Sequence, residues 1–245
     1  LGMIAYQVGR HEVAVEYVRQ AIALNPENAT FYNTIGDVYR VMGKLDDAAA
    51  SYRQALALRP TYAEPCMNLG IVFFSQSRLE EAAAHFRQAI AHKPAWAEAY
   101  NNLGLVLVEQ GAAEEAIAQF RQAVTLKPEY AEAYNHLGAV LAEQGKLDEA
   151  IAKYRQVVAL KPDYAEAYNH LGGALWYQGK MQEAVAAYRQ ALALSPNDGR
   201  RIKLATILPV IPESAQEIAL IRRQYEENIN ALLKEELTLK DPVKE

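Results

Sequence analysis

At 245 residues, with 51% hydrophobic and 22% charged side chains, the chain has the apolar content of a globular protein with an ordered core. A net charge of −5 argues against a surface built for nucleic acid, and the lack of an 18-residue apolar run argues against a membrane-spanning helix. Cys66 is the only cysteine, so no intrachain disulfide can form.

The chain opens on "LGMIAYQVGRHEVA", which has neither the basic start nor the apolar stretch of a signal peptide. It also begins without Met and in the middle of a pattern, so a fragment of a longer, cytoplasmic protein is expected. Asn28-Ala29-Thr30 matches a glycosylation acceptor, but without a secretory signal it is read as coincidence.

The pattern is a repeat. "AEAYNHLG" stands at 131–138 and again at 165–172, and the pair "RQ" recurs at 19, 53, 87, 121, 155 and 189. A 34-residue period divides the chain into a partial unit, 1–28, and five full units, 29–62, 63–96, 97–130, 131–164 and 165–198.

Each unit predicts two helices. In the unit starting at Ala97, Tyr100, Leu103, Gly104 and Leu107 share one face of the first helix. Gly111 supplies a left-handed stop, as Gly43, Gly145 and Gly179 do in their units, while Ser77 departs from that rule. Ala116, Phe120 and Ala123 line the second helix, which Pro128 closes by disfavouring helical geometry at the residue before it.

Gly36, Gly70, Gly104, Gly138 and Gly172 lie mid-helix, where glycine costs about 1 kcal/mol against alanine. The expectation is close approach of the paired helix through its own small residues, Ala48, Ala82, Ala116, Ala150 and Ala184. The aromatics Tyr52, Phe86, Phe120, Tyr154 and Tyr188 are then expected to fill the wider part of the gap. Cys66 is read as a small buried filler.

The series Tyr100, Leu103, Gly104, Leu107, Ala116, Phe120, Ala123, Pro128 resembles the tetratricopeptide repeat (TPR), and the resemblance covers residues 1–198. It implies an all-α fold, a right-handed superhelical solenoid of helix-turn-helix repeats whose first helices line a concave groove.

Glu98, Asn102, Leu105 and Glu109 form a second stripe on the first helix, expected to face that groove. Across the units this gives three rows. Thr34, Asn68, Asn102, His136 and His170 form one row, and Asn33, Met67, Asn101, Asn135 and Asn169 run beside it. Glu64, Glu98, Glu132 and Glu166 form the third, near the helix starts, where a carboxylate suits the helix dipole.

Amides both donate and accept, so they suit a peptide backbone with little demand on its side chains. Packed helices ~10 Å apart would meet an extended strand about every three residues, at ~3.3–3.6 Å per residue. The expected peptide-binding residues are therefore Thr34, Asn68, Asn102, His136, His170, Asn33, Asn101, Asn135, Asn169, Glu98, Glu132 and Glu166. Of these, Asn68, Asn102, His136 and His170 are expected to take no part in helix–helix packing. His136 and His170 add a pH response near pH 6–7.

Catalytic chemistry is not expected. His85 and His92 lie two helical turns apart with no third ligand, so no metal is expected, and no phosphate loop or nucleophile elbow occurs. No cofactor is implied.

The period ends after Asp198. Residues 199–213 read as a connector containing Pro209 and Pro212, and 214–245 as a capping helix and tail. Ser214 and Glu217 open that helix with a capping box. Ile218, Ile221, Tyr225, Ile229, Leu232 and Leu233 form its apolar stripe, suited to covering the end of the array.

Residues 203–233, through "LPVIPES" and "RRQYEENINALL", also resemble the segment joining TPRs to the catalytic region in bacterial SPINDLY-type, O-GlcNAc-transferase-like proteins. That family's "YxNLG" matches Tyr100, Asn102, Leu103 and Gly104, whereas His136, His170 and Thr34 depart from it. The resemblance implies the substrate-recruiting part of a protein glycosyltransferase. A free-standing scaffold or co-chaperone-type adaptor is the alternative. Either way the expected partner is a protein or extended peptide; oligomeric state is not legible.

Overall fold

The computed structural model describes residues 11–196, 222–223 and 225–231. Within these residues every regular element is a helix. Two compact units divide the chain, Leu1–Pro128 and Glu129–Glu245.

The first unit holds α1 (His11–Leu24), α2 (Ala29–Val41), α3 (Leu45–Leu58), α4 (Ala63–Ser75), α5 (Leu79–His92), α6 (Ala97–Glu109) and α7 (Ala113–Leu126). Each pair α2/α3, α4/α5 and α6/α7 forms a hairpin, and the first two of these each pack on the next through their second helix.

In α6, Leu103, Gly104 and Leu107 are buried while Glu109 is exposed. The helix stops where Gly111 takes a φ of 75°. Its turn is closed by the Ala112 N–H donating to Leu107 C=O at 2.8 Å and the Gly111 N–H to Val108 C=O at 2.9 Å. Ser77 adopts the same left-handed geometry at φ 58°, with the matching bond from Arg78 N–H to Phe73 C=O at 2.9 Å. The turn is therefore kept where the glycine is not. In α7, Ala116, Phe120 and Ala123 are fully buried. Lys127, ahead of Pro128, turns extended at φ −136°, ψ 86°.

The mid-helix glycines have a different partner from the one expected. A Cβ on Gly104 would lie 2.6 Å from Cε1 of Phe120, and its three nearest neighbours are all atoms of that ring. Gly36 meets Tyr52, and Gly70 meets Phe86, each at 2.5 Å. The aromatic ring lies directly on the glycine; it does not occupy a gap left over after glycine meets alanine. The alanines, including Ala48, Ala82 and Ala116, are fully buried, but none is among the atoms nearest a glycine Cβ. Cys66 is buried, and burial pushes its thiol up to about 11, so it acts as an inert filler.

The second unit holds α8 (Ala131–Glu143), α9 (Leu147–Leu160), α10 (Ala165–Tyr177) and α11 (Met181–Leu194). Its glycines meet rings as well, Gly138 on Tyr154 at 2.7 Å and Gly172 on Tyr188 at 3.0 Å. Ala131, Val157 and Ala167 form a small core between hairpins, with Tyr134, Val158 and Tyr164 against it.

Pro209, Pro212, Ser214, Glu217, Ile218, Ile221, Leu232 and Leu233 lie outside the described residues. Of the expected capping stripe, Tyr225 and Ile229 are described; both are helical and half-buried.

Gly104→Ala gains about 1 kcal/mol of helix propensity but drives a methyl into Phe120, an overpacking penalty of about 1–3 kcal/mol. A lower denaturation midpoint is expected for Gly104→Ala, partly recovered when Phe120→Leu is added. Recovery would appear as non-additivity in the double-mutant cycle.

Candidate functional site

The three polar rows lie on the first helices, and hydrogen bonds link two of them to each other. In the first unit, Asn68 on α4 donates through Nδ2 to Asn33 Oδ1 on α2 at 3.3 Å and to Asp37 Oδ1 at 2.9 Å. Asn102 on α6 points its Nδ2 at Met67 Sδ on α4, a weak contact at 3.9 Å. In the second unit, Asn135 Oδ1 on α8 lies 3.1 Å from His170 Nδ1 on α10. An amide oxygen only accepts, so a hydrogen bond here requires a proton on the imidazole Nδ1. The Asn33–Asn68, Met67–Asn102 and Asn135–His170 contacts each join residue i of one first helix to residue i+35 of the next, while Asp37–Asn68 spans 31.

Asn68, Asn102, His136 and His170 were expected to stand clear of the packing, and the bonds of Asn68 and His170 to neighbouring helices correct that. Asn101 and Asn135 are each only 3% exposed, buried among the first helices. Asn33, Asn68, Asn102, His136, Asn169 and His170 are half-buried. Thr34 donates to Thr30 C=O of its own helix at 2.9 Å. The reason is geometric: residues five and six of neighbouring first helices sit side by side, where an unpaired amide would lose its bonds to water without replacement.

Asp37 was not singled out from the sequence, yet it organises the first of these contacts. Tyr52 Oη donates to its Oδ1 at 2.8 Å, and Asn33 Nδ2 to its Oδ2 at 3.3 Å. Burial raises its pKa, opposed by the Tyr52 hydrogen bond and the charge of Arg40.

The glutamates divide. Glu98 is held by Lys127 at 2.7 Å, and Glu132 by Lys161; each lysine follows the second helix of the same repeat. The lysine bond holds each carboxyl below its usual range. Glu166 is exposed, 3.9 Å from His170 Nε2.

A cavity of about 770 Å³ opens in the second unit, among Ala139, Tyr154, Gly173, Trp176, Tyr177 and Tyr188. Asn169, His170 and Glu143 also line it. The ninth residue of each first helix is Asp37, Ile71, Leu105, Ala139 and Gly173 in turn, and the cavity opens where that side chain is smallest. Asn169 Oδ1 is buried with no hydrogen-bond partner among the described residues. Its i+35 position, Leu204, falls beyond the last repeat.

Two outcomes follow for these residues. Asn135→Ala removes a buried partner of His170 and is expected to lower stability by about 1–3 kcal/mol, whereas Asn169→Ala, losing no such bond, stays within about 0.5 kcal/mol. Chemical denaturation measures both. The pH response of His136 is expected at lower pH than its residue type suggests: burial lowers its pKa from 6.5, against the raising charges of Glu166 and Glu132. The stability it contributes is present above 6.5 and is lost as pH falls through the depressed value. In thermal melts, the wild type should lose midpoint relative to His136→Asn as pH falls from 6.5 to the depressed value, and the gap should be constant above 6.5.

Comparison with known proteins places this architecture. Family models described as "TPR repeat" match residues 36–77, 72–111, 105–145 and 140–179, and models described as "Tetratricopeptide repeat" match 165–198 and 1–28. No curated protein matches the chain. Among solved structures it is similar to YrrB, described as "a TPR protein with an unusual peptide-binding site", at 25% identity over 79% of this chain and 100% of that one, with a TM-score of 0.67. MamA aligns at 30% identity over 65% of this chain and 94% of its own, with a TM-score of 0.62. The likeness to pilF of Pseudomonas aeruginosa, 22% identical over 85% of this chain and 92% of that one, with a TM-score of 0.68, is one of fold. With family models covering residues 36–179 without a break and a hairpin repeated every 34 residues, the chain belongs to the tetratricopeptide-repeat family.

Proposed function

We propose that this chain binds an extended peptide or protein segment along its first helices, with Asn68, Asn102, His136 and His170 as the principal contacts and Glu98, Glu132 and Glu166 beside them. The observation that carries the reading is the recurrence of half-buried amides and imidazoles at one place on successive first helices. Their inter-helix bonds occupy part of their capacity: each asparagine carries two N–H donors and an acceptor oxygen, and Asn102 Nδ2 meets only a thioether at 3.9 Å. The peptide-binding site named for YrrB supports the same class of ligand. The rows contain no lysine or arginine, which disfavours a grip on a terminal carboxylate.

Two settings suit such a module. The "LPVIPES" and "RRQYEENINALL" stretches, outside or only partly within the described residues, support the substrate-recruiting arm of an O-GlcNAc-transferase-like protein. The adaptor setting is equally compatible with the repeat array. Sequence continuing past Glu245 into an α/β region would favour the first, and a stop codon there the second. No described helix is long and apolar enough to cross a membrane.

Because Asn68 and His170 also bond neighbouring helices, alanine variants would confuse binding with folding. Asn102→Asp keeps the shape and removes the donors. For peptides selected from a random library, calorimetry should give about 2–12-fold weaker binding, the equivalent of ~0.5–1.5 kcal/mol per hydrogen bond. Unchanged affinity with unchanged helicity would remove this row from the binding site.

A further inference from the structure

We infer that the cavity of the second unit is a subsite for one basic side chain of the bound peptide, arginine in preference to lysine; this rests on the peptide-binding reading. Its walls are the rings of Tyr154, Tyr188, Trp176 and Tyr177, with Trp176 and Tyr177 meeting edge to face at 5.1 Å between centroids. Aromatic faces attract cations, and a planar guanidinium stacks on them better than a compact ammonium. The lining includes one carboxylate, Glu143, and no lysine or arginine. A cation entering it therefore meets the complementary charge of Glu143 and no fixed positive charge, with the imidazole of His170 also in the lining.

The space is not a by-product of packing. A Cβ on Gly172 would lie 3.0 Å from the Tyr188 ring, tighter than an ordinary contact, so a side chain there requires the ring to give. Gly173, next to it, is under no such constraint: its Cβ would approach only the Tyr188 hydroxyl, at an ordinary 3.4 Å. Where Gly173 leaves room, the equivalent position in α6 carries Leu105.

Two polar atoms at the cavity await partners of opposite kind. Asn169 Oδ1 accepts and Trp176 Nε1 donates, and both are buried without a hydrogen-bond partner among the described residues. A peptide supplies both complements: N–H groups from its backbone or guanidinium for Asn169, and a carbonyl for Trp176. A volume of about 770 Å³ admits the side chain together with flanking backbone.

The test uses the full chain carrying Trp96→Phe, which leaves Trp176 as the sole tryptophan of the two. N-acetylated, C-amidated Ser-Gly nonapeptides with Arg, Lys, Phe or Glu at the centre are titrated while Trp176 emission is followed. The arginine peptide should bind ~10-fold more tightly than the phenylalanine and glutamate peptides, with lysine between them. Glu143→Gln should reduce that preference several-fold, and Gly173→Leu should abolish it, both with helicity unchanged. Equal binding of the arginine and phenylalanine peptides, or an arginine preference untouched by both variants, would overturn the basic-side-chain subsite while leaving peptide binding in place. Failure of every peptide to bind would overturn both readings. Trp176 emission that changes on dilution without peptide would assign the cavity to a second copy of the chain and overturn the inference.

Discussion

Everything in this chain rests on an aromatic ring lying on a glycine. In each hairpin the ring of the second helix, Phe120 in α7 for example, occupies the place where a side chain on Gly104 of the first helix would be. That contact brings the helices together at a fixed depth and rotation. The rotation determines which residues of the first helix are left for other duties. A recurrent penalty of about 1 kcal/mol for mid-helix glycine is offset by burying a whole ring, which stabilises by roughly 1.5–3 kcal/mol.

The polar rows sit where two demands meet. Their inner members, Asn101 and Asn135, are buried, and their outer members bridge to the adjoining first helix. Asp37 adds a buried carboxylate to the first such bridge, where Tyr52 has the hydroxyl that Phe86 and Phe120 lack. Met67 breaks the amide pattern one hairpin later and leaves Asn102 with a thioether for a partner. The ladder is thus a helix-to-helix fastening whose outer members also offer hydrogen-bonding groups.

Much of this was legible beforehand. A strict period revealed the hairpins, and the left-handed stops followed from Gly43, Gly111, Gly145 and Gly179. Partnership was harder to read. Gly104 lies sixteen residues from Phe120 and twelve from Ala116, and spacing alone does not say which of them touches it. The bond between Asn135 and His170 joins different positions of successive repeats, a pairing hidden when equivalent positions are compared row by row. Asp37 was overlooked because it is unique at its position. The cavity had left a signal in that same column, where the ninth residue shrinks from Leu105 through Ala139 to Gly173 without forming a motif.

The offset of 35 has an evolutionary consequence. Because the Asn33–Asn68 and Asn135–His170 bridges each join position five of one repeat to position six of the following one, a unit can lengthen or shorten by whole repeats and keep that pairing. Excising residues 63–96 would bring Asn33 opposite Asn102, restoring the amide pair that Asn33 now forms with Asn68. The Glu98–Lys127 ion pair lies within one repeat and travels with it. Recombination between equivalent codons is therefore nearly silent for the fold, and an array of this kind can change its reach in a single genetic step.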